Sequence, residues 1–256
     1  ISWSGGLALE LFLQKDSINK IQVCFSSLDI FGLAPTFRKI SEAKSIEVID
    51  WSALGLIKAL RASQQNIDSE IFQYPWGSDL PNKTKFCKKF KDPKTKNEFA
   101  IVNSITIDNF LLHASRADED GNVEILGPRA LDTIMAGASK QVIVTVDEIV
   151  SRDILAKEKK GSLISKNFIT AIAHVPFGAY PTSSVPYYIT DYNDLKNTFS
   201  KKPLRLGLSF KKNKKFITKS NKLTLNYFTN YLKKNKLNSN FPNKISSDEL
   251  MAFALA

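Results

Sequence analysis

The chain has 256 residues, 43% hydrophobic and 24% charged, and a domain of that length buries about three-quarters of the surface its unfolded chain exposes. Wholesale disorder is excluded, and 11 glycines with 10 prolines exclude collagen-like and proline-rich architectures. The formal net charge is +11, yet 13 Lys and Arg with no Asp or Glu fall in residues 201–244, which leaves 23 basic against 25 acidic side chains elsewhere.

The bulk of the molecule therefore has no basic face with which to track a phosphate backbone, and a nucleic-acid partner is not expected. The Lys-rich stretch could bind polyanions. It holds one arginine, Arg205, where bidentate phosphate or base readout favours arginine, so its plainer reading is a solvated connector. With only Cys24 and Cys87, neither a disulfide scaffold nor a zinc spacing is available, no metal is expected, and two thiols at unrelated positions suit a reducing cytoplasm. The apolar run Leu7 to Leu13 carries Glu10 and falls far short of the roughly 20 residues of a membrane-crossing helix. No signal peptide is read ahead of it. The expected location is cytoplasmic, without a membrane partner.

Along residues 1–200, short apolar runs alternate with amphipathic ones, a pattern that predicts an α/β protein with an open, mostly parallel sheet flanked by helices. Ile1 to Trp3 reads as a strand entering a Ser4-Gly5-Gly6 turn. The candidate helices are Leu7 to Gln14, Thr36 to Ala43, Leu54 to Gln65 and Ala130 to Ser139. In the last, Leu131, Ile134, Met135 and Ala138 fall at i, i+3, i+4 and i+7 and share one buried stripe. The candidate strands are Ile21 to Phe25, Ile46 to Ile49, Phe99 to Val102, Phe110 to His113, Gln141 to Val146 and Phe168 to Val175. At the other end, Ser246, Ser247, Asp248 and Glu249 open a helix that stops within the apolar run Leu250 to Ala256. With a sheet entered partway through at Ile1, this predicts a piece cut from a longer polypeptide.

The richest polar cluster is His113-Ala-Ser-Arg116-Ala-Asp118-Glu-Asp120-Gly121-Asn122, at the carboxyl end of a candidate buried strand, where open α/β sheets bind ligands. Asp118, Asp120 and Asn122 alternate as calcium ligands do, but the Gly and Glu that an EF-hand loop needs are replaced by Val123 and Arg129. A turn in which Asp and Asn bond the backbone is the alternative. Arg116 and Asp118 either form an internal ion pair or contact a ligand. His113 is more readily a satisfied core histidine than a base, and His174 the same. Neither histidine lies near a Ser or Cys signature that would support a hydrolytic triad. Two loops, Tyr74 to Pro81 and Val175 to Ser183, carry Pro, Gly and hydroxyl residues of ordered turns. No G-x-G-x-x-G or P-loop occurs.

In chain order, Gly32-Leu-Ala-Pro35-x-Phe-Arg38, Gly77-Ser-Asp-Leu-Pro81, His113-x-x-Arg116-Ala-Asp-x-x-Gly121-Asn122, Val142-Ile-Val-Thr145-Val-Asp-Glu148-Ile-Val150 and Pro176-Phe-Gly-Ala-x-Pro181-Thr-Ser183 resemble the α subunit of family I CoA-transferases, the glutaconate CoA-transferase type. The likeness covers residues 1 to about 195. It implies the CoA-transferase fold (NagB/RpiA/CoA-transferase-like), with residues 1–200 as an α-type domain truncated at its start and residues 201–244 as a linker. Residues 245–256, Ile-Ser-Ser-Asp-Glu-Leu-Met-Ala-Phe-Ala-Leu-Ala, are similar to the opening of a β-type domain.

The activity so implied is transfer of CoA between carboxylic acids through a glutamyl-CoA thioester, with acyl-CoA and a carboxylic acid as substrates and no permanently bound cofactor. The glutamate belongs to the β half, in a Ser-Glu-Asn-Gly-like signature. The Ser-Glu pairs here, Ser41-Glu42 and Ser69-Glu70, continue with Ala43 and Ile71, so no nucleophile is assigned and a β-type subunit or domain is the expected partner. The residues expected to face substrate are Gly77, Ser78, Asp79, His113, Arg116, Asp118 and Asn122, with Gly178, Tyr180, Thr182 and Ser183 on a second loop. Relatives often carry His at the position of Tyr180. Some ring-opening hydrolases of the superfamily carry an acidic residue near the position of Ala53, and its lack here argues against that reading. A CoA-ester or ring-opening hydrolase is the alternative enzyme, and a non-catalytic polyanion-binding protein the alternative outside enzymes.

Overall fold

A computed structural model describes residues 1–13, 18–28, 31–73, 77, 79, 86–128, 130–158, 160–192 and 195. They divide into two compact units, the first Ile1–Val175 and the second starting at Pro176. The expected linker, the β-like terminal segment and Ser78 lie outside the described residues.

In the first unit the strands are β1 (Ser2–Gly5), β2 (Lys20–Ser26), β3 (Glu47–Asp50), β4 (Ser69–Phe72), β5 (Lys88–Lys91), β6 (Glu98–Asn103), β7 (Ile107–Asp118), β8 (Val123–Ile125), β9 (Ser139–Val150), β10 (Ser162–Ile164) and β11 (Ala171–His174). The helices are α1 (Leu7–Leu13), α2 (Pro35–Glu42), α3 (Ala53–Gln64), α4 (Asp132–Gly137) and α5 (Arg152–Glu158). The α/β class predicted by the alternation is the one observed. Its parallel parts are the sheet β1-β2-β3 and the block β7-β9-β11. Strands β8 and β10 extend that block antiparallel, and β4-β6-β5 forms a separate antiparallel sheet.

Local chemistry explains most of these elements. Ser52 precedes α3, and its Oγ accepts the Gly55 N–H at 3.0 Å, satisfying one of the donors that a helix start leaves open. Leu56, Ala59 and Leu60 then fall on one face and are wholly buried; each leucine contributes about 1.5–3 kcal/mol of burial. Strand β2 alternates in the same way, with Ile21 and Val23 inward. The segment expected as one strand from Phe168 divides, because the Ser165 Oγ accepts from Asn167 N and starts a short 3-10 turn at Lys166–Phe168 before β11. The stripe expected over Ala130 to Ser139 is present in a shorter helix: Leu131, Met135 and Ala138 are buried, and Ser139 already opens β9, its hydroxyl donating to the Met135 carbonyl at 2.5 Å.

Strands β7 and β9 run 12 residues each, well beyond the apolar cores that announce them. Their polar residues stay in the ladder because each finds a side-chain partner: His113 bonds Thr145 across it on β9, and Arg116 bonds Glu124 on β8. Between β1 and the first part of β7 opens an apolar cavity of about 490 Å³ lined by Trp3, Phe12, Phe110, Leu131 and Met135 among others. The sheet β1-β2-β3 and the sheet β10-β8-β7-β9-β11 are separate, with β1 and β7 unpaired to each other.

Gly161 immediately precedes β10, which pairs antiparallel with β8 from Ser162 opposite Ile125, and a Cβ there would lie 2.2 Å from the Ile125 carbonyl oxygen. Gly161→Ala is expected to lower stability by about 1–3 kcal/mol, as overpacking does, read as a lower urea midpoint with an unchanged slope.

Candidate functional site

The carboxyl end of β7 gathers the densest charge in the first unit. Arg116 is buried and points at β8, where its Nε donates to Glu124 Oε2 at 2.6 Å. Its Nη1 and Nη2 both reach Glu158 Oε2 on α5 at 3.2 Å. The second oxygen of Glu124 accepts the backbone N–H of Lys160 at 3.0 Å and of Gly161 at 2.8 Å. One buried carboxylate and one guanidinium thus tie two strands, a helix and a loop. Burial opposes the Arg116 charge, but hydrogen bonds and charge from Glu124 and then Glu158 outweigh it and hold the group above its ordinary value. Glu158 lies below the usual carboxylate range, held there first by a hydrogen bond from Lys160 and then by Arg116.

The internal pair Arg116–Asp118 is not what forms. Glu124 stands directly across the ladder from Arg116, whereas Asp118 lies at the strand end, where its carboxylate turns into the following loop. Its Oδ1 accepts the N–H groups of Asp120 at 3.0 Å and Asn122 at 2.8 Å, and its Oδ2 accepts from Asn122 Nδ2 at 2.8 Å. Asn122 Oδ1 in turn accepts the Lys166 N–H at 3.1 Å. This is the turn in which Asp and Asn bond the backbone. Beside it a cavity of about 390 Å³ is lined by Asp118, Glu119, Asp120, Lys166 and Thr170 among others.

His113 projects from the middle of β7. Its Nε2 lies 2.9 Å from Asp147 Oδ2 and its Nδ1 2.8 Å from Thr145 Oγ1. A carboxylate only accepts, so Nε2 carries a proton, and in the neutral ring the Thr145 hydroxyl donates to Nδ1. Both ring nitrogens are engaged, which is how a satisfied core histidine is held. His174 Nε2 donates to the Asp147 backbone carbonyl at 3.0 Å. Thr145 and Asp147 fall in the Val142 to Val150 motif, where the sequence attaches no role to either side chain. Their one sequence signal is alternate placement in the Val142 to Val150 run.

Gly77 and Asp79 are exposed. In the second unit, Gly178 and Ser183 are exposed, while Tyr180 donates its hydroxyl to Asp191 Oδ2 at 2.9 Å and Thr182 donates to the Ala179 carbonyl at 2.5 Å. The Ala179 N–H donates to the Tyr188 hydroxyl at 2.9 Å, and the Tyr188 ring packs on Phe177 at 5.1 Å between centroids. Tyr188 and Asp191 are the anchors of this loop that the sequence did not single out. Among the described residues no group of His, Cys, Asp and Glu is placed to hold a metal ion, and no helix is long and apolar enough to cross a membrane.

The model of the coenzyme A transferase family matches residues 1–174. The chain is 31% identical over 147 residues to the A subunit of 3-oxoadipate CoA-transferase from Pseudomonas knackmussii, covering 57% of this chain and 51% of that protein. It is 32% identical over 88 residues to the A subunit of glutaconate CoA-transferase from Acidaminococcus fermentans, covering 34% and 27%. The chain thus spans about half or less of the curated relatives it matches. Among solved structures, glutaconate coenzyme A-transferase from Acidaminococcus fermentans superposes with a TM-score of 0.69 at 21% identity over 76% of this chain and 67% of that one. A variant of the decarboxylase AibA/AibB superposes with a TM-score of 0.68 at 24% identity over 77% and 73%. At these identities the superpositions establish the fold alone. The chain belongs to the coenzyme A transferase family and has the fold of its solved members.

Glu124→Gln leaves the buried Arg116 with Glu158 alone, and is expected to cost about 3–5 kcal/mol, the usual penalty for breaking a buried pair, measured by chemical denaturation. Because the folded-state pKa of Glu158 is lowered, its contribution is complete at neutral pH and disappears as pH falls through that lowered value. In denaturation midpoints measured from neutral to about pH 3, Glu158→Gln should flatten the acid limb relative to the parent chain.

Proposed function

We propose that this chain is the α-type portion of an acyl-CoA:carboxylate CoA-transferase, working in the cytoplasm with a β-type subunit or domain. The observation that carries the reading is the state of the buried carboxylates. Among the described residues, Glu10, Asp118, Glu124 and Asp147 are buried, and each is hydrogen-bonded to the chain's own side-chain or backbone donors. A carboxylate that must attack a thioester needs an open lone pair in a dry pocket. Membership of the family and relatives named as A subunits support a reactive glutamate supplied by the other half.

In that reaction the glutamate attacks the acyl-CoA carbonyl and expels the CoA thiolate, leaving a mixed anhydride. The thiolate then attacks the glutamyl carbonyl, releasing the first acid and forming a glutamyl-CoA thioester. A second carboxylate repeats the sequence in reverse and leaves as its own CoA ester. CoA is thus a substrate throughout, with no permanent cofactor. This chain supplies structure and part of the acyl pocket: Gly77, Asp79 and the turn from Asp118 to Asn122 face the substrate, while His113 and Arg116 hold the walls. Gly178, Tyr180, Thr182 and Ser183 form a further substrate-facing loop in the second unit.

The chain paired with its β-type half is expected to exchange CoA between an acyl-CoA and free carboxylic acids. Mass spectrometry after incubation with acyl-CoA should find the thioester on the partner half and none on this one. Covalent loading of this chain when purified alone, or release of free acid without any dependence on an acceptor, would overturn the assignment.

A further inference from the structure

Resting on the transferase reading, we propose that Glu10 is a positioning residue for the acyl-CoA site, acting through the segment from Phe31 to Phe37. Glu10 lies on α1 and has no exposed surface. Its Oε2 accepts the Thr36 N–H at 2.9 Å and its Oε1 the Phe37 N–H at 2.7 Å. Those are the opening amides of α2. Pro35 has no N–H, and the Arg38 N–H already bonds the Ala34 carbonyl at 3.0 Å. One carboxylate from 26 and 27 residues away therefore satisfies every donor at this helix start that the helix itself does not.

The arrangement is costlier than a local cap. Helix α3 is served by Ser52 immediately before it, whereas Ala34, in the same place before α2, offers no side-chain acceptor and is 1% exposed. A buried charge carries a desolvation penalty that a hydroxyl cap avoids. What the distant carboxylate adds is a fixed relation between α1, α2 and the chain entering α2. That segment belongs to the carboxyl end of β1 and β2, where ligands of parallel sheets bind. The Gly5 carbonyl, at the end of β1, accepts from Ser26 Oγ at 2.7 Å and from Ser27 N at 3.2 Å. The Gly32 carbonyl accepts from Leu28 N at 2.8 Å, and Ser27 pairs with Leu33. A Cβ at position 5 would crowd Leu9 Cδ2 at 2.4 Å and Ser26 Oγ at 2.8 Å, so a larger residue there must displace both side chains. The closed ring of contacts from Gly5 through Ser27, Gly32 and α2 to Glu10 holds Leu33 out at 67% exposure, as an apolar contact for the acyl or pantetheine part of the substrate.

Glu10→Gln keeps the volume but sets its amide N–H against one of the two backbone donors. In the assembled enzyme it should raise KM for acyl-CoA about tenfold with kcat within about twofold. Val102→Ala, a core truncation in the antiparallel sheet chosen to match its loss of stability, should leave KM unchanged. In this chain by itself, amide exchange at Leu28, Leu33, Thr36 and Phe37 should quicken about tenfold in Glu10→Gln while α3 keeps its protection. Equal KM values in the two variants, or exchange quickened evenly along the chain, would overturn the proposal. Should the parent assembly exchange no CoA, the transferase reading falls, while the exchange pattern still decides whether Glu10 fixes this segment.

Discussion

A carboxylate taken out of water must find donors within hydrogen-bond reach, and a large part of this fold is arranged around that requirement. Glu124 shows it best. Its two oxygens meet a guanidinium on one side and two successive backbone amides on the other, so β7, β8 and the entry to β10 are fixed by one side chain. Glu158 adds α5 to the same knot from its exposed edge. Asp118 does the equivalent for the turn at the end of β7, and Asp147 for the ring of His113. These groups contribute less to net stability than the apolar face of α3, because the cost of burying them offsets much of what they gain. They give each loop one conformation.

That arrangement bears on chemistry. A site able to bind a thioester needs rigid walls and an undistracted nucleophile, and hydrogen-bonded acidic side chains such as these are one way in which loops are held rigid. Among the described residues the four buried carboxylates are all occupied in this way; the half-buried Glu70 bonds Lys58 through Oε1 and leaves Oε2 without a hydrogen bond.

Where side chains serve their own neighbourhood, the sequence is informative. The cap at Ser52 with the triplet Leu56, Ala59 and Leu60 outlines α3, and the alternation of Ile21 and Val23 outlines β2. The three-residue strands β8 and β10 are too short to give a period. The lysines of β5 mask a strand, because an edge strand can be polar throughout. Nearness in sequence favours Asp118, two residues from Arg116, over its actual partners Glu124 and Glu158, eight and 42 residues away. The hairpin register decided for Glu124, since it sets that residue directly across the ladder.

The sequence by itself determined the α/β class, the order of most elements and the family, because each follows from local pattern or ordered motifs. The tertiary structure alone decided which donor meets which acceptor: Glu10 with the start of α2, His113 with Thr145 and Asp147, Tyr180 with Asp191. Those pairs join residues whose nearness depends on helix packing, strand register or loop closure. A hydrogen bond is directional over a few tenths of an ångström, whereas periodicity fixes only the face on which a side chain lies.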